Sequence, residues 1–346
     1  MAPIEKGSTV LVTGINGFIA SHVADLLLER GYKVHGTVRS AEKGQWLQEY
    51  ADKKHGQNKL TLFVVADMGS KGAFDEAVKG CSGVAHVASD LNFSPDPNQV
   101  IPGVLAGIRH TLEAATTESK IKRFVYTSSS TAALNPIPDT KIDFDESTWN
   151  DECVKRAWAP PPYEKARAWD VYGASKTQAE QELWKFFEEH KPSFEVNAVL
   201  PNANFGPVID AKKQSASTAG WIKQIMDGKF DDTLKGLPPQ WFVNVRDSAR
   251  LHVAALTDPS ITSQRIFAFA APWTWNEILA IVRKVAPEAN RKLLPPDLTA
   301  EEGGDQKDLS VSTSRSKSVE ILKRNFGRDD FVGLEESIRE TVESFV

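Results

Sequence analysis

The sequence predicts an α/β chain: a doubly wound parallel sheet with a smaller C-terminal lobe. Three observations predict it. Short apolar, β-branched runs alternate with helical patterns through the first two hundred or so residues, and such alternation implies a parallel sheet covered by helices on both faces. The first of these runs leads directly into a glycine turn and then a helix. Beyond about residue 203 the alternation stops, and short helices and a proline pair at 238–239 take its place.

The first strand is read at 8–13, Ser8-Thr-Val-Leu-Val-Thr13, and the turn is Gly14-Ile-Asn-Gly17-Phe-Ile-Ala20. The first helix, 17–30, carries Val23, Leu26 and Leu27 on its apolar face and stops at Gly31, a glycine cap. Strand, glycine turn and helix in this order are the context a dinucleotide-binding fingerprint requires. Gly14 permits the tight turn, Gly17 lets backbone N–H groups approach a pyrophosphate, and Ala20 lets helix and strand pack closely. The second strand, 33–38, ends at Arg39, with Ser40 and Lys43 beyond it. An enzyme using NAD would place a carboxylate there to hold the ribose 2′-hydroxyl. A guanidinium instead can grip a 2′-phosphate through two parallel charge-assisted hydrogen bonds. The cofactor is therefore read as NADPH.

Further strands are expected at 60–66, 83–88, 121–127 and 195–200, and helices at 41–54, 71–79, 99–117 and 165–190. Ligands of such sheets sit outside the carboxyl ends of the strands. Gly14, Arg39, Asp67, Ser89, Ser129 and Pro201 all follow strand ends. After residue 203, an extended segment is read at 240–245, a helix at 246–255 with Asp247 near its start, another helix at about 274–286, and a surface loop at 298–306.

The chemistry is read from Val171-Tyr-Gly-Ala-Ser-Lys176 and from Thr127-Ser128-Ser129. Tyr172 and Lys176 are four residues apart, which on a helix puts them on one face, a turn apart. A lysine cation roughly 4–5 Å from a phenol favours phenolate by about 3–4 kcal/mol at an effective dielectric near 20. The phenol pKa is thus expected to fall toward neutrality, into the range of a working proton donor. A serine hydroxyl nearby would hold a carbonyl oxygen against the phenol, so the set suits reduction of C=O to CH–OH. Any helix of this length can carry a Tyr-x-x-x-Lys pair as surface decoration; the glycine turn upstream raises its weight.

Composition sets limits. The chain has 346 residues, 41% hydrophobic and 25% charged, ordinary values for a globular enzyme. A net charge of −5 speaks against non-specific nucleic-acid binding. Two cysteines, Cys81 and Cys153, suit a reducing compartment. The start, Met-Ala-Pro-Ile-Glu-Lys, has no apolar leader, and no run of 18 apolar residues is present, so a cytoplasmic location with no membrane span is expected. The seven histidines lack metal-ligand spacing, no metal is expected, and His86 in its apolar strand is read as a packed residue. The chain carries neither a Gly-x-Ser-x-Gly elbow nor a phosphate loop ending Gly-Lys-Ser/Thr, which disfavours a hydrolase and an NTPase. Scattered spacing makes the nine tryptophans core and pocket lining rather than a stacking platform.

Across nearly its whole length the chain resembles the extended short-chain dehydrogenase/reductases, in the branch holding plant dihydroflavonol reductases and fungal NADPH-dependent aldehyde and ketone reductases. The likeness rests on Thr13-Gly-Ile-Asn-Gly-Phe-Ile-Ala20, Thr37-Val-Arg39, Asp67-Met68, Val84-Ala-His-Val-Ala-Ser89, Phe124-Val-Tyr-Thr-Ser-Ser129, Val171-Tyr-Gly-Ala-Ser-Lys176, Leu200-Pro-Asn202 and Val243-Asn-Val-Arg-Asp-Ser-Ala-Arg-Leu-His252. Tyr172 through Glu180, Asn197 through Asn202 and Pro238-Pro-Gln240 point to the yeast carbonyl reductase type.

The resemblance implies a Rossmann-type domain over 1–203 plus 240–264 and a substrate-binding lobe over 204–239 plus 265–346. It implies Ser129, rather than Ser128, as the hydrogen-bond donor to the carbonyl, Tyr172 as proton donor, and Lys176 as a further holder of the nicotinamide ribose. Thr13, Gly14, Asn16, Gly17, Phe18, Ile19, Arg39, Lys43, Asp67, Met68, Val87, Ser89, Tyr172, Lys176 and Pro201 would contact the cofactor. Asp67 and Met68 would flank the adenine, Ser89 the pyrophosphate and ribose, and Pro201 the nicotinamide. Phe93, Ser130, Trp221 and Gln240 are candidates for an apolar substrate pocket suited to aldehydes, ketones and keto esters. The expected partner is a small carbonyl compound, and the expected state a monomer or homodimer. A dihydroflavonol reductase would share every catalytic residue. A sugar-nucleotide epimerase would normally carry a carboxylate where Arg39 stands, and a non-catalytic cofactor sensor would usually lack the tyrosine–lysine pair.

Overall fold

The computed structural model describes residues 3–90 and 92–346. In chain order the elements begin with β1 (Thr9–Val12), α1 (Phe18–Glu29), β2 (Lys33–Val38), α2 (Ala41–His55), β3 (Leu60–Val64), β4 (Cys81–His86), α3 (Pro97–Thr117) and β5 (Arg123–Thr127). A short turn of 3₁₀ helix at Ser130–Ala132 precedes β6 (Asp143–Phe144), α4 (Asp151–Ala157), α5 (Ala168–His190), β7 (Glu195–Pro201) and β8 (Ala203–Phe205). The rest comprises α6 (Ala219–Met226), α7 (Asp232–Lys235), β9 (Trp241–Asn244), α8 (Val245–Thr257), β10 (Arg265–Ala268), β11 (Ala271–Pro272), α9 (Trp275–Val285), α10 (Glu288–Arg291), β12 (Val311–Ser312), α11 (Arg315–Phe326) and α12 (Leu334–Glu343).

The chain divides into two compact units, residues 1–135, 146–200 and 249–266 in one, and 136–145, 201–248 and 267–346 in the other. These limits run differently from a division at 203, 240 and 264: the short segment 136–145 joins the second unit, and so does 240–248.

The first unit is organised by a seven-stranded sheet in the order β10-β7-β5-β4-β1-β2-β3. β1 pairs in parallel with β2 and β4, β2 with β3, β4 with β5, and β5 with β7. This is the parallel, doubly wound architecture the alternation predicts. The order reverses direction at β1 and β4, and ligands of such sheets bind at that switch point. The central strands are apolar because both faces are covered: Val10, Leu11, Val12, Val84, Ala85, Phe124 and Val125 are fully buried. α1 and α2 pack on each other and on β1 to β3, while α3 packs on β4 and α5, and α4 on α5.

One expected helix is absent. Residues 71–80 form successive turns, with Gly72 at φ +77° and Gly80 at φ +75°. A glycine in the left-handed region at each end leaves too short a run for a costly helical nucleus. The long helix also begins later than 165, because 165–167 is a 3₁₀ turn.

The second unit carries a three-stranded sheet, β11-β9-β8, and the β12–β6 pair. Its core is aromatic. Trp273 is fully buried, with its ring 4.8 Å from Trp275 and 6.0 Å from Phe205. α12 closes this core against α6, α9 and β9, and Asn244 donates to Ser337 Oγ at 3.1 Å and Glu340 Oε2 at 3.0 Å.

Candidate active site

In the first unit the glycine turn is held from both sides. The Gly14 N–H donates to Thr37 Oγ1 at 3.0 Å and the Ile15 N–H to Thr37 O at 3.0 Å, tying it to β2. Thr13 Oγ1 accepts from the N–H groups of Val87 and Ala88, both at 3.0 Å, tying it to the end of β4. Gly14 stands at φ +63°, and a Cβ there would meet Ala88 Cβ at 3.0 Å. Conformation and space both require glycine. α1 then begins at Phe18, after Gly17 at the N-cap, with no side-chain cap and no acidic residue in its first turn. Uncapped N–H groups and the positive end of the helix dipole are what a pyrophosphate binds.

The other cofactor candidates fall on the same carboxyl edge. Arg39 and Lys43 are exposed and have no carboxylate partner among the described residues. The Asp67 carboxylate accepts from Gly69 N and Ser70 Oγ, both at 2.8 Å, and those bonds hold its pKa below the usual value. Met68 packs within 3.2 Å of the Cβ position of Gly107 on α3. Val87 and Ser89 lie just past β4 and are half-buried, as are Asn16 and Ile19, while Phe18 is buried. The Ser89 hydroxyl is buried without a hydrogen-bond partner, an orphaned donor that a ribose or phosphate oxygen would satisfy. Pro201 closes β7. The residues present fit a phosphorylated nicotinamide dinucleotide.

Tyr172, Lys176 and Glu180 follow one another at four-residue intervals on α5, one face of the helix. Gly173 lets α5 approach α4, since a Cβ there would lie 2.6 Å from Cys153 Sγ. Ser129 follows β5, and its hydroxyl lies close enough to the Tyr172 phenol to lower its pKa. Ser129 Oγ also accepts from the Thr131 hydroxyl at 3.0 Å and the Thr131 N–H at 3.3 Å. Its lone pairs are thereby engaged and its proton is left to donate. Ser128 turns elsewhere, donating to Glu180 Oε2 at 2.6 Å.

The electrostatics overturn one expectation. The spacing of Tyr172 and Lys176 predicts a lowered phenol pKa. In the structure burial pushes the Tyr172 phenol above its ordinary value, and the nearby Ser129 hydroxyl offsets this only in part. Burial also drives the Lys176 ammonium down to about 8, with Glu180 acting in the opposite direction. Lys176 is 3% exposed, donates to Thr127 O at 3.1 Å and lies 5.5 Å from the centroid of the Tyr126 ring. Removing both groups from water disfavours both charged forms, and that outweighs what opposes it, the Ser129 hydroxyl at Tyr172 and the Glu180 carboxylate at Lys176. The phenol stays protonated at neutral pH, the form a proton donor needs.

Phe93 and Trp169 are large rings left 46% and 42% exposed. Both face Tyr172, with Phe93 5.2 Å and Trp169 6.0 Å from its ring and 5.2 Å from each other. Trp169 is missing from the sequence reading; its place three residues before Tyr172 on a helix is the signal that could have found it. Thr131 left no such signal. Ser130 begins the 3₁₀ turn and is half-buried. The remaining pocket candidates belong to the second unit: Trp221 is half-buried, its ring 6.3 Å from both Phe205 and Trp275, and the half-buried Gln240 donates to Pro238 O at 3.4 Å.

The model of the NAD dependent epimerase/dehydratase family matches residues 10–268. The chain belongs to that family. It is 41% identical over 344 residues to aldehyde reductase 2 of Sporidiobolus salmonicolor, covering 99% of this chain and 97% of that one. It is 34% identical over 343 residues to the ketoreductase nvfG of Aspergillus novofumigatus, covering 98% and 97%. Among solved structures it resembles yeast methylglyoxal/isovaleraldehyde reductase Gre2 complexed with NADPH, with a TM-score of 0.80 and 27% identity over 97% of both chains.

Proposed function

We infer that this family member is an NADPH-dependent reductase of aldehydes and ketones, keto esters included, in which Tyr172 hands the proton to the carbonyl oxygen. The observation that carries the assignment of residues is the Tyr172 phenol and the buried Lys176 one turn apart on α5, with Lys176 donating to the end of β5 and the Ser129 hydroxyl just beyond it acting on the phenol. The names of the relatives support the reaction class. The family description speaks of NAD, but the end of β2 carries Arg39 rather than a carboxylate, and the Gre2 neighbour was solved with NADPH.

NADPH, when bound, supplies the hydride. The glycine turn and the N-terminus of α1 would hold its pyrophosphate, Arg39 and Lys43 its 2′-phosphate, and Ser89 and Lys176 its ribose hydroxyls. Ser129 donates to the substrate oxygen and fixes it against the phenol, stabilising negative charge as it develops there. Tyr172 then gives up its proton to that oxygen, with the neighbouring ammonium favouring the phenolate left behind. Phe93 and Trp169 form an apolar wall beside the phenol, suited to aryl or alkyl carbonyl compounds rather than charged acids.

NADPH oxidation against aldehydes, aryl ketones, keto esters and dihydroflavonols tests this reading. Turnover of the first three classes is expected. Turnover confined to dihydroflavonols would move the chain to the plant-type activity, and no turnover of any would overturn the reading.

A further inference from the structure

Behind the site lies a buried ion pair that the reduction as described does not use. The Glu180 carboxylate is fully buried and the Arg265 side chain is 5% exposed. Arg265 donates in a fork, Nε to Oε1 at 2.7 Å and Nη2 to Oε2 at 3.3 Å. Trp184 Nε1 adds a bond to Oε1 at 3.3 Å, and Ser128 Oγ one to Oε2 at 2.6 Å. Arg265 is fixed in turn by the carbonyls of Glu146 at 2.9 Å and Thr148 at 2.6 Å, with its guanidinium 3.9 Å from the Trp149 ring centroid. A buried ion pair is a poor route to stability, because desolvation offsets its attraction. Its surroundings indicate another use. Glu180 sits one turn beyond Lys176 on the same face of α5, and its partner Ser128 immediately precedes Ser129.

We propose that Glu180 is a positioning residue for the reaction: clamped by Arg265, it supplies the counter-charge that keeps the buried Lys176 ammonium charged beside Tyr172. Among the described residues, the charged and titratable groups around Lys176 leave it no other anion. From β4, His86 is neutral, pushed down to about 3 by burial and by Lys176 itself. From β5 come the Tyr126 ring and the Thr127 carbonyl. Along α5 stand Tyr172, a protonated phenol, and Glu180. Arg265 lies beyond Glu180 and its cation would act against Lys176, so the fork serves to hold the carboxylate rather than the lysine. Burial already brings Lys176 to about 8, and Glu180 is the group opposing that fall. Without the carboxylate the ammonium would lose its proton within the working pH range.

The proposal gains its catalytic meaning from the reductase reading, but the titration it forecasts does not depend on turnover. Lysine labelled with ¹³C at Cε, with the Lys176 signal assigned by its loss in Lys176→Met, reports the titration of the cofactor-free protein. In Glu180→Gln the Lys176 midpoint should fall by about 1 unit or more. The alkaline limb of kcat/KM for NADPH-dependent reduction should move down with it. Ser128→Ala, which keeps the carboxylate, should lower kcat and leave both midpoints in place. Glu180→Gln leaves Arg265 without its partner, so Glu180→Gln/Arg265→Met is the second variant; it strands no charge and should still show the fall, reduced in size. An unmoved Lys176 midpoint in a folded variant overturns the proposal. So does failure of both variants to fold, which would assign Glu180 to structural integrity alone. A wild-type protein that titrates as expected but reduces nothing would overturn the reductase reading and leave the charge pairing standing.

Discussion

The two ends of the candidate cofactor site are built differently. At the Tyr172 end Lys176, Glu180 and Ser128 are buried and hydrogen-bonded, and Ser129 is held by Thr131. At the Arg39 end both cations are exposed and have no carboxylate partner among the described residues. In the proposed reaction the buried end would place atoms for chemistry, where small displacements are costly. The exposed end waits for a charged group and needs only attraction and reach. A substitution at the first should therefore act on kcat, and one at the second on cofactor KM.

The largest effect is expected at the buried end. Tyr172→Phe should lower kcat by about 10³-fold or more while NADPH still binds, because it removes the transferred proton and spares the cofactor contacts. Fluorescence titration with NADPH beside steady-state kinetics reads both; near-normal turnover would end the assignment. Ser129→Ala should cost about 10²–10³-fold in kcat, as the loss of an oxyanion donor does, and Ser128→Ala about tenfold or less. The reverse order would mean that the wrong serine faces the substrate. Next comes the exposed end. Arg39→Ala should raise KM for NADPH by about 10- to 100-fold, leave KM for NADH unchanged and barely alter saturated kcat, since one charge-assisted contact to a remote phosphate is lost. Equal weakening of both cofactors would break the contrast between the ends. The smallest effect is expected at the aromatic wall: Trp169→Ala should lower kcat/KM for aryl ketones by about three- to tenfold, as loss of an aromatic contact does. Small aliphatic aldehydes should be spared, and an equal loss on both would make Trp169 a packing residue only.

The contrast also marks what the sequence could disclose. Strand ends, the glycine turn and the four-residue spacing on α5 are local patterns, and the structure places Gly14, Arg39, Asp67, Ser89 and Ser129 just past β1 to β5. The direction of the phenol pKa was not legible, because spacing gives a separation and says nothing of how much water is excluded. Glu180 was visible only as one more acidic residue in a helix. Its partner Arg265 is 85 positions away, and no local pattern joins them. The helix expected at 71–79 failed on a local signal that was present: Gly72 and Gly80 flank the segment, and both take positive φ.

The joint between β1 and β4 has a consequence for acid conditions. Thr13 Oγ1 already accepts two N–H groups, so its proton points at His86 Nδ1, 3.1 Å away. Thr111 Oγ1, 3.3 Å from the same nitrogen, gives its proton to Gly107 O at 2.7 Å. His86 is thus fixed as the tautomer protonated on Nε2, and burial holds its folded-state pKa down at about 3, from 6.5. Between those values the unfolded chain binds a proton that the folded chain refuses, so stability falls as pH drops through that window. Thermal melts on either side of pH 6 would register the fall, and a melting point indifferent to pH there would contradict it. Because the ring stays neutral until the molecule opens, mild acid cannot retune the Thr13 clasp by degrees. The glycine turn behaves as a fuse rather than a dial, keeping its shape up to the point at which the whole domain lets go.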